Sequence, residues 1–171
     1  FYQADALTFP LEGYDAYHAS PPCQRFSQAV KKKDRGNHPD YIQEIRNRLV
    51  ATGKLYVLEN IPRAPLLNYF MLCGSSFGLP VRRHRIFESN LFIPTFPCSH
   101  SEYPRKYTCA WNRKTPLRVL SISGGYQHGI ELEEHKRAMG IGWEIKYNEL
   151  SEAIPPAYTE YIGKYLMQAV G

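Results

Sequence analysis

The segment Tyr14–Ser27, YDAYHASPPCQRFS, decides how the rest of the chain is read. Tyr14–Ala19 reads as a buried strand, and it runs straight into a loop that opens with two prolines. Pro21 and Pro22 each fix φ and disfavour the helical region for the residue before them, so the backbone enters Cys23 stiff and extended. A strand followed by such a loop places Cys23 at a carboxyl end, which is where open α/β sheets bind ligands. Gln24, Arg25 and Ser27 then surround the thiol with polar and cationic groups, the conditions that raise a thiolate fraction. Taken alone, the segment is read equally well as a Pro-Pro turn with an incidental cysteine.

Working outward, residues 24 to 38 are polar, carry three consecutive lysines and Gly36, and show no period, so they read as a mobile loop. Asn37 and Pro39 make a helix start. Tyr41, Ile42, Ile45, Leu49 and Val50 recur at three- and four-residue spacing up to Gly53, as in an amphipathic helix. Leu55–Leu58 is a second buried strand and ends in Glu59-Asn60-Ile61-Pro62. Strand, helix and strand make a βαβ unit, whose parallel strands bring Glu59 and Cys23 to one edge. Without Cys23, Glu59 would read as an exposed loop acid or a helix cap.

Upstream, Phe1–Thr8 is strand-like as far as Asp5 and is broken at Pro10 and Gly13. Downstream, Tyr69–Ser75 and Arg85–Phe92 read as an antiparallel hairpin at a sheet edge. Residues 93 to 129 form an irregular insertion containing Pro94, Pro97, Pro104 and Pro116, with Val119–Ser123 as its one strand-like run. Glu131–Met139 reads as a helix stopped by Gly140, and Pro155 or Pro156 opens a closing helix through Ala169. The expected organisation is an α/β core over 1–92, an insertion over 93–129, and a return to the core over 130–171.

The 171 residues suffice for one domain with a real core, and 43% hydrophobic with 22% charged residues is an ordinary globular balance. No apolar run approaches bilayer length and no signal-peptide pattern opens the chain, so no membrane contact and a cytoplasmic setting are expected. Four scattered cysteines (23, 73, 98 and 109) fit reduced thiols better than a disulfide framework. Cys98-Ser99-His100, with Cys109 and His128, contains only one close pair of metal-ligating residues, so no metal site is expected. The net charge of +5 points to a polyanionic partner. Its basic residues cluster at Lys31, Lys32, Lys33 and Arg35, at Arg82, Arg83 and Arg85, and around Arg113. Such runs are ordinarily solvated faces, but nearby Tyr103, Tyr107 and Trp111 favour nucleic acid.

In this order, Pro22-Cys23-Gln24, Glu59-Asn60-Ile61 and Arg83-x-Arg85 resemble the nucleophile, Glu-Asn-Val and Gln-x-Arg-x-Arg motifs of the DNA (cytosine-5) methyltransferases. Asp5 matches the family's acidic residue near the cofactor adenine, and Ser151-Glu152-Ala153-Ile154-Pro155 stands in place of Gly-Asn-Ala-Val-Pro. LCGSSFGL, RHRIFES and AIPPAYTEYIG look more specifically like compact phage and prophage members, including those of restriction-modification. The resemblance implies a Rossmann-like class I methyltransferase sheet, mostly parallel with an antiparallel edge hairpin, and a small target-recognition insertion. It implies a bacterial or phage-infected cytoplasm, S-adenosylmethionine as cofactor and double-stranded DNA as partner.

By the same resemblance, Cys23 adds to cytosine C6 and makes C5 nucleophilic. Glu59 neutralises the ring at N3 in protonated form, and Arg85 with Arg83 holds the cytosine O2 or Glu59 itself. Asp5, Ala6, Pro22, Tyr41, Glu152 and Ile154 are implied at the cofactor. Gln24, Arg25, Ser27, Lys31, Lys32, Lys33, Arg35 and Arg113 are implied at the DNA, whose target base must be flipped out of the stack. Val81 stands where glutamine is usual, and Ser151-Glu152 replaces Gly-Asn. The family's Phe-x-Gly-x-Gly turn is absent, and about 50 residues are expected before Phe1, from one βαβα unit of ~30 residues plus a strand. A preceding segment or a second chain would then complete the cofactor site. Rival readings are the same chemistry on RNA or a free pyrimidine nucleotide, a catalytically silent DNA-binding relative, and a cysteine hydrolase.

Overall fold

The computed structural model describes residues 2–99, 120, 122 and 131–171. The βαβ unit is present. Strand β1 (Ala16–Ala19) leads through two short 3-10 turns to helix α1 (Ile42–Ala51), and β2 (Leu55–Asn60) follows. Ile42, Ile45 and Leu49 recur at the helical period and are buried against Tyr56, Leu58, Ala64, Leu66 and Ile86. Each such side chain contributes roughly 1.5–3 kcal/mol by leaving water. Thr52 caps the end of α1 through its hydroxyl on Leu49 O at 2.6 Å, and Gly53 turns the chain with φ 66°.

β1 and β2 are parallel, with Ala16 opposite Leu55 and Ala19 opposite Leu58. β2 is buried from Tyr56 to Asn60, as a strand flanked on both edges must be. On its other side runs β4 (Arg85–Ser89), antiparallel, pairing Asn60 with Ile86 and Val57 with Ser89. β3 (Phe70–Leu72) completes the sheet order β1-β2-β4-β3. The described sheet is therefore mixed, with one parallel and one antiparallel pair flanking β2. The chain continues into α2 (Leu132–Met139), α3 (Tyr147–Glu152) and α4 (Pro156–Val170). α2 stops at Gly140, whose φ of 71° is the left-handed conformation glycine adopts at helix ends.

Two compact units share the chain. The first comprises 1–70, 86–94 and 164–171, and the second 71–85 and 95–163. β3, β4 and α4 each straddle one of these boundaries. The second unit has its own core of Val81, Leu120, Ile122, Ala138, Met139, Ile141 and Leu150.

Several local expectations are corrected. Residues 2–8 form no strand, because Asp5 closes a turn: its carboxylate accepts the Leu7 N–H at 2.9 Å and its carbonyl those of Thr8 and Phe9. Residues 24–38 hold 3-10 turns at Gln24–Phe26 and Lys32–Asn37. α3 has no counterpart among the expected elements; its first turn is closed by Glu149, which accepts the Lys146 N–H at 2.9 Å. Of Val119–Ser123, only Leu120 and Ile122 lie within the described residues, and Leu120 makes an isolated parallel bridge to Val81.

The loop from 61 to 69 contains no helix and is held from beneath instead. Glu88, 3% exposed, accepts from Arg46 Nε at 2.7 Å and Nη2 at 2.8 Å, and from the Leu67 N–H at 2.7 Å. Arg46 also donates to Pro65 O at 3.0 Å. One buried ion pair thus ties α1, β4 and the loop after β2 together.

Candidate active site

Cys23 lies where the sequence places it, four residues beyond the end of β1. It is half-buried, with φ −98° and ψ −7°, and it caps the 3-10 turn Gln24–Phe26, its carbonyl accepting the Phe26 N–H at 3.0 Å. The loop is anchored at both ends. Phe26 packs against the first unit's core, and Asn60 donates through Nδ2 to Pro21 O at 3.0 Å. Asn60 is 1% exposed, and its own Oδ1 accepts the Ile61 N–H at 2.9 Å.

Glu59 precedes Asn60 in β2 and is 7% exposed. Since Ala19 pairs with Leu58, Glu59 stands one residue past the last paired position, at the carboxyl end from which the Cys23 loop leaves. The parallel crossover thus brings the Cys23 loop and Glu59 to one edge. β4 starts where β2 ends, with Ile86 opposite Asn60 and Arg85 as its first residue. Arg85 is half-buried and donates to His84 O at 2.9 Å.

Arg83 is set within the second unit, 3% exposed, with Nε on Ala153 O at 2.8 Å, Nη1 on Ile122 O at 2.7 Å and Nη2 on Ser151 O at 2.6 Å. Its own carbonyl accepts from Tyr158 Oη at 2.7 Å. The guanidinium fork therefore fastens the Arg83-x-Arg85 run to the two carbonyls that flank Glu152, which is a structural task.

The six cofactor candidates are divided between the units. Asp5, Ala6, Pro22 and Tyr41 belong to the first, and Glu152 and Ile154 to the second. Ala6 lines a cleft of about 270 Å³ beside β1, together with Ala4, Phe9, Leu11, Tyr17 and Leu49. The Ala6 and Phe9 carbonyls accept from Arg48, which holds that wall to α1. Asp5 is exposed and spends one oxygen on its own turn; Pro22 is exposed, and Tyr41 stands exposed just before α1. Glu152 closes α3, and half-buried Ile154 follows it.

Among the nucleic-acid candidates, Gln24, Arg25, Lys31, Lys32 and Lys33 are exposed. Arg25 and Arg35 also shape the loop, donating to His38 O at 3.1 Å and Val30 O at 3.2 Å, and Ser27 Oγ accepts the Ala29 N–H at 3.1 Å. Arg113 lies outside the described residues. Sequence reasoning did not single out Asn60 as a positioning residue or Glu88 and Arg46 as a pair. The signal for Asn60 was its place beside Glu59 at a strand end; Glu88 and Arg46 carried none.

Neither a protein-family profile nor a curated protein sequence matches the chain. Its fold is shared with solved structures, among them the methyltransferase EhMeth of Entamoeba histolytica, at a TM-score of 0.57 and 13% identity over 92% of this chain and 78% of that one. The chain thus has a methyltransferase-like α/β fold with a mixed four-stranded sheet. Among the described residues, no helix is long and apolar enough to cross a membrane.

Proposed function

We propose that this chain carries the catalytic residues of an S-adenosylmethionine-dependent DNA (cytosine-5) methyltransferase with a Rossmann-like class I sheet. The observation that carries the reading is the parallel β1–β2 pair, which places the Pro-Pro-Cys23 loop and buried Glu59 at one carboxyl edge, fastened by Asn60 on Pro21 O.

In this reading the Cys23 thiolate attacks C6 of a flipped cytosine, forming the S–C6 bond and pushing the ring electrons towards C5 and N3. Glu59 carries the proton that neutralises N3, shielded by burial from competition with bulk water. Arg85 is assigned to the cytosine O2 by motif, and Arg83 fastens the Arg83-x-Arg85 run within the second unit. Once C5 has gained a methyl group, loss of its proton and cleavage of the S–C6 bond restore the aromatic ring and the free thiolate. S-adenosylmethionine, when bound, supplies the electrophilic methyl. The largely apolar cleft beside Ala6, in the first unit, is the candidate seat for the apolar faces of that cofactor, while Asp5, Pro22, Tyr41, Glu152 and Ile154 are assigned to it by motif. The Arg25–Arg35 loop is, in this reading, the clamp loop over the flipped base, and Lys31, Lys32 and Lys33 are its phosphate contacts.

The experiment is covalent trapping of the full-length protein on duplex DNA whose target cytosine is 5-fluorocytosine, with cofactor. The expected product is a denaturation-resistant adduct that Cys23→Ala does not form. Trapping of RNA or a nucleotide alone would move the substrate, and methyl transfer by Cys23→Ala would end the reading. A full-length protein that binds DNA without any transfer would make it a silent relative.

A further inference from the structure

Within the second unit, three side chains that no catalytic step uses converge. The ligand atoms of Cys73, His84 and Cys98 all lie within 4.8 Å of one another, and Cys98 Sγ is 3.4 Å from His84 Nε2. Zinc bonds of about 2.3 Å to sulfur and 2.0–2.1 Å to nitrogen, at tetrahedral angles, require roughly 3.6 Å between sulfur and nitrogen and 3.8 Å between two sulfurs. The cluster is already close to that spacing.

Its scaffold is built from three separate stretches. Cys73 leads into the 3-10 turn Gly74–Phe77, His84 directly precedes β4, and Cys98 lies in a segment outside any helix or strand. Hydrogen bonds stitch the first stretch to the third: the Ser99 N–H donates to Ser75 Oγ at 3.2 Å, Ser99 Oγ to Ser75 O at 3.2 Å, and Ser76 Oγ to Pro97 O at 3.1 Å. Ser75 Oγ also donates to Cys73 Sγ at 3.3 Å, in the manner of the hydrogen-bonding groups that orient metal ligands from behind. Cys73 is 1% exposed and the other two are half-buried, so a bound ion would be shielded from solvent. No fourth His, Cys, Asp or Glu joins the group among the described residues.

We propose that Cys73, His84 and Cys98 bind one Zn2+ as its three protein ligands among the described residues, and that the ion clips the start of the 93–129 segment to the turn after β3 and to the approach to β4. Both thiols release their protons on binding, and the ion's charge cancels the two thiolates. The unloaded site favours the first ionisation. Burial pushes the Cys73 thiol up, but hydrogen bonds from His84 and Ser75 outweigh it and bring it down to about 7. Cys98 is pushed up to about 11 by burial and by the neighbouring Cys73 thiolate, a repulsion a divalent cation removes. The site stands independently of the methyl-transfer reading, since none of its three ligands is assigned a step there.

The test strips the full-length protein of metal with a chelator and reloads it with Zn2+, Cd2+ or Co2+. The expected results are one equivalent bound per chain, a thiolate-to-Cd2+ charge-transfer band, and the intense visible bands of tetrahedral Co2+. Cys73→Ser and Cys98→Ser should each weaken binding by roughly tenfold or more, at least what removing a group that merely orients a ligand costs. His84→Gln should weaken binding while keeping the sulfur–Cd2+ band, and Cys23→Ser should bind as the parent does. If Cys73→Ser does not fold, Cys98→Ser carries the test, because its side chain is half-exposed and in no helix or strand. Metal bound equally well by Cys98→Ser, absence of any thiolate–metal band, or a Cys73–Cys98 disulfide in protein isolated with its thiols trapped would each overturn the proposal.

Discussion

Replacing Glu88 by glutamine keeps the shape of the side chain and removes its charge beneath the loop that follows β2. The carboxylate accepts at both oxygens: Arg46 Nε at 2.7 Å and Tyr56 Oη at 3.4 Å on one, Arg46 Nη2 at 2.8 Å and the Leu67 N–H at 2.7 Å on the other. A glutamine has one oxygen and one NH2, so whichever way it turns, at least one Arg46 N–H meets a donor. The Arg46 guanidinium, 6% exposed, is then left without its counter-charge. Breaking a buried pair in this way costs about 3–5 kcal/mol. Against an unfolding slope of about 2 kcal/mol per M of urea, the midpoint falls by about 2 M. Burial alone would raise the Glu88 carboxyl, but Arg46 and the Leu67 N–H hold it below its ordinary value. Its contribution is therefore complete above the ordinary carboxylate range and disappears as pH falls through the depressed folded value. The gap between parent and Glu88→Gln must narrow over that acid window. The double variant Arg46→Met, Glu88→Leu removes both charges and should cost at least about 1 kcal/mol less than the two single changes added together. A Glu88→Gln penalty below about 1 kcal/mol, or strict additivity in that cycle, would refute the assignment of Glu88 as the anchor of this loop.

Asn60→Leu removes the donor to Pro21 O, so methyl transfer should slow while DNA affinity measured by fluorescence anisotropy holds steady; unchanged turnover would deny Asn60 its positioning role. Changing Lys31, Lys32 and Lys33 together to glutamine should flatten the salt dependence of DNA binding by roughly 0.9 in log–log slope for each phosphate that is no longer neutralised. A slope equal to the parent's would exclude the clamp loop from binding the DNA backbone. Gly74→Ala should lower thermal stability by the equivalent of about 1–3 kcal/mol of overpacking. A Cβ there would sit 2.4 Å from Val81 O and 2.5 Å from Val81 Cγ1, and calorimetry showing no shift would deny that close approach.

Elements with a strong local period could be read directly. The glycine stop of α2 and the proline start of α4 appear in the structure within a residue of the expected ends, and the apolar spacing of α1 is there too, although that helix begins at Ile42, three residues beyond the Pro39 start. Where short polar residues offer the backbone a competing partner, the local reading failed. Asp5 bonds its own turn, so a strand-like composition at 1–8 yields no strand among the described residues 2–8.

What the sequence by itself determined is the βαβ unit and, through it, the edge at which Cys23 and Glu59 stand, because strand alternation, helical period and crossover direction are short-range properties of the chain. Only the tertiary structure decided that Glu88 holds Arg46 from 42 residues away, that Arg83 is fastened to the carbonyls around Glu152, and that Cys73 and His84 join Cys98. Partners brought together by folding leave no periodic mark, since their pairing is selected by burial and by the cost of leaving a charge or a polar group unsatisfied in the interior.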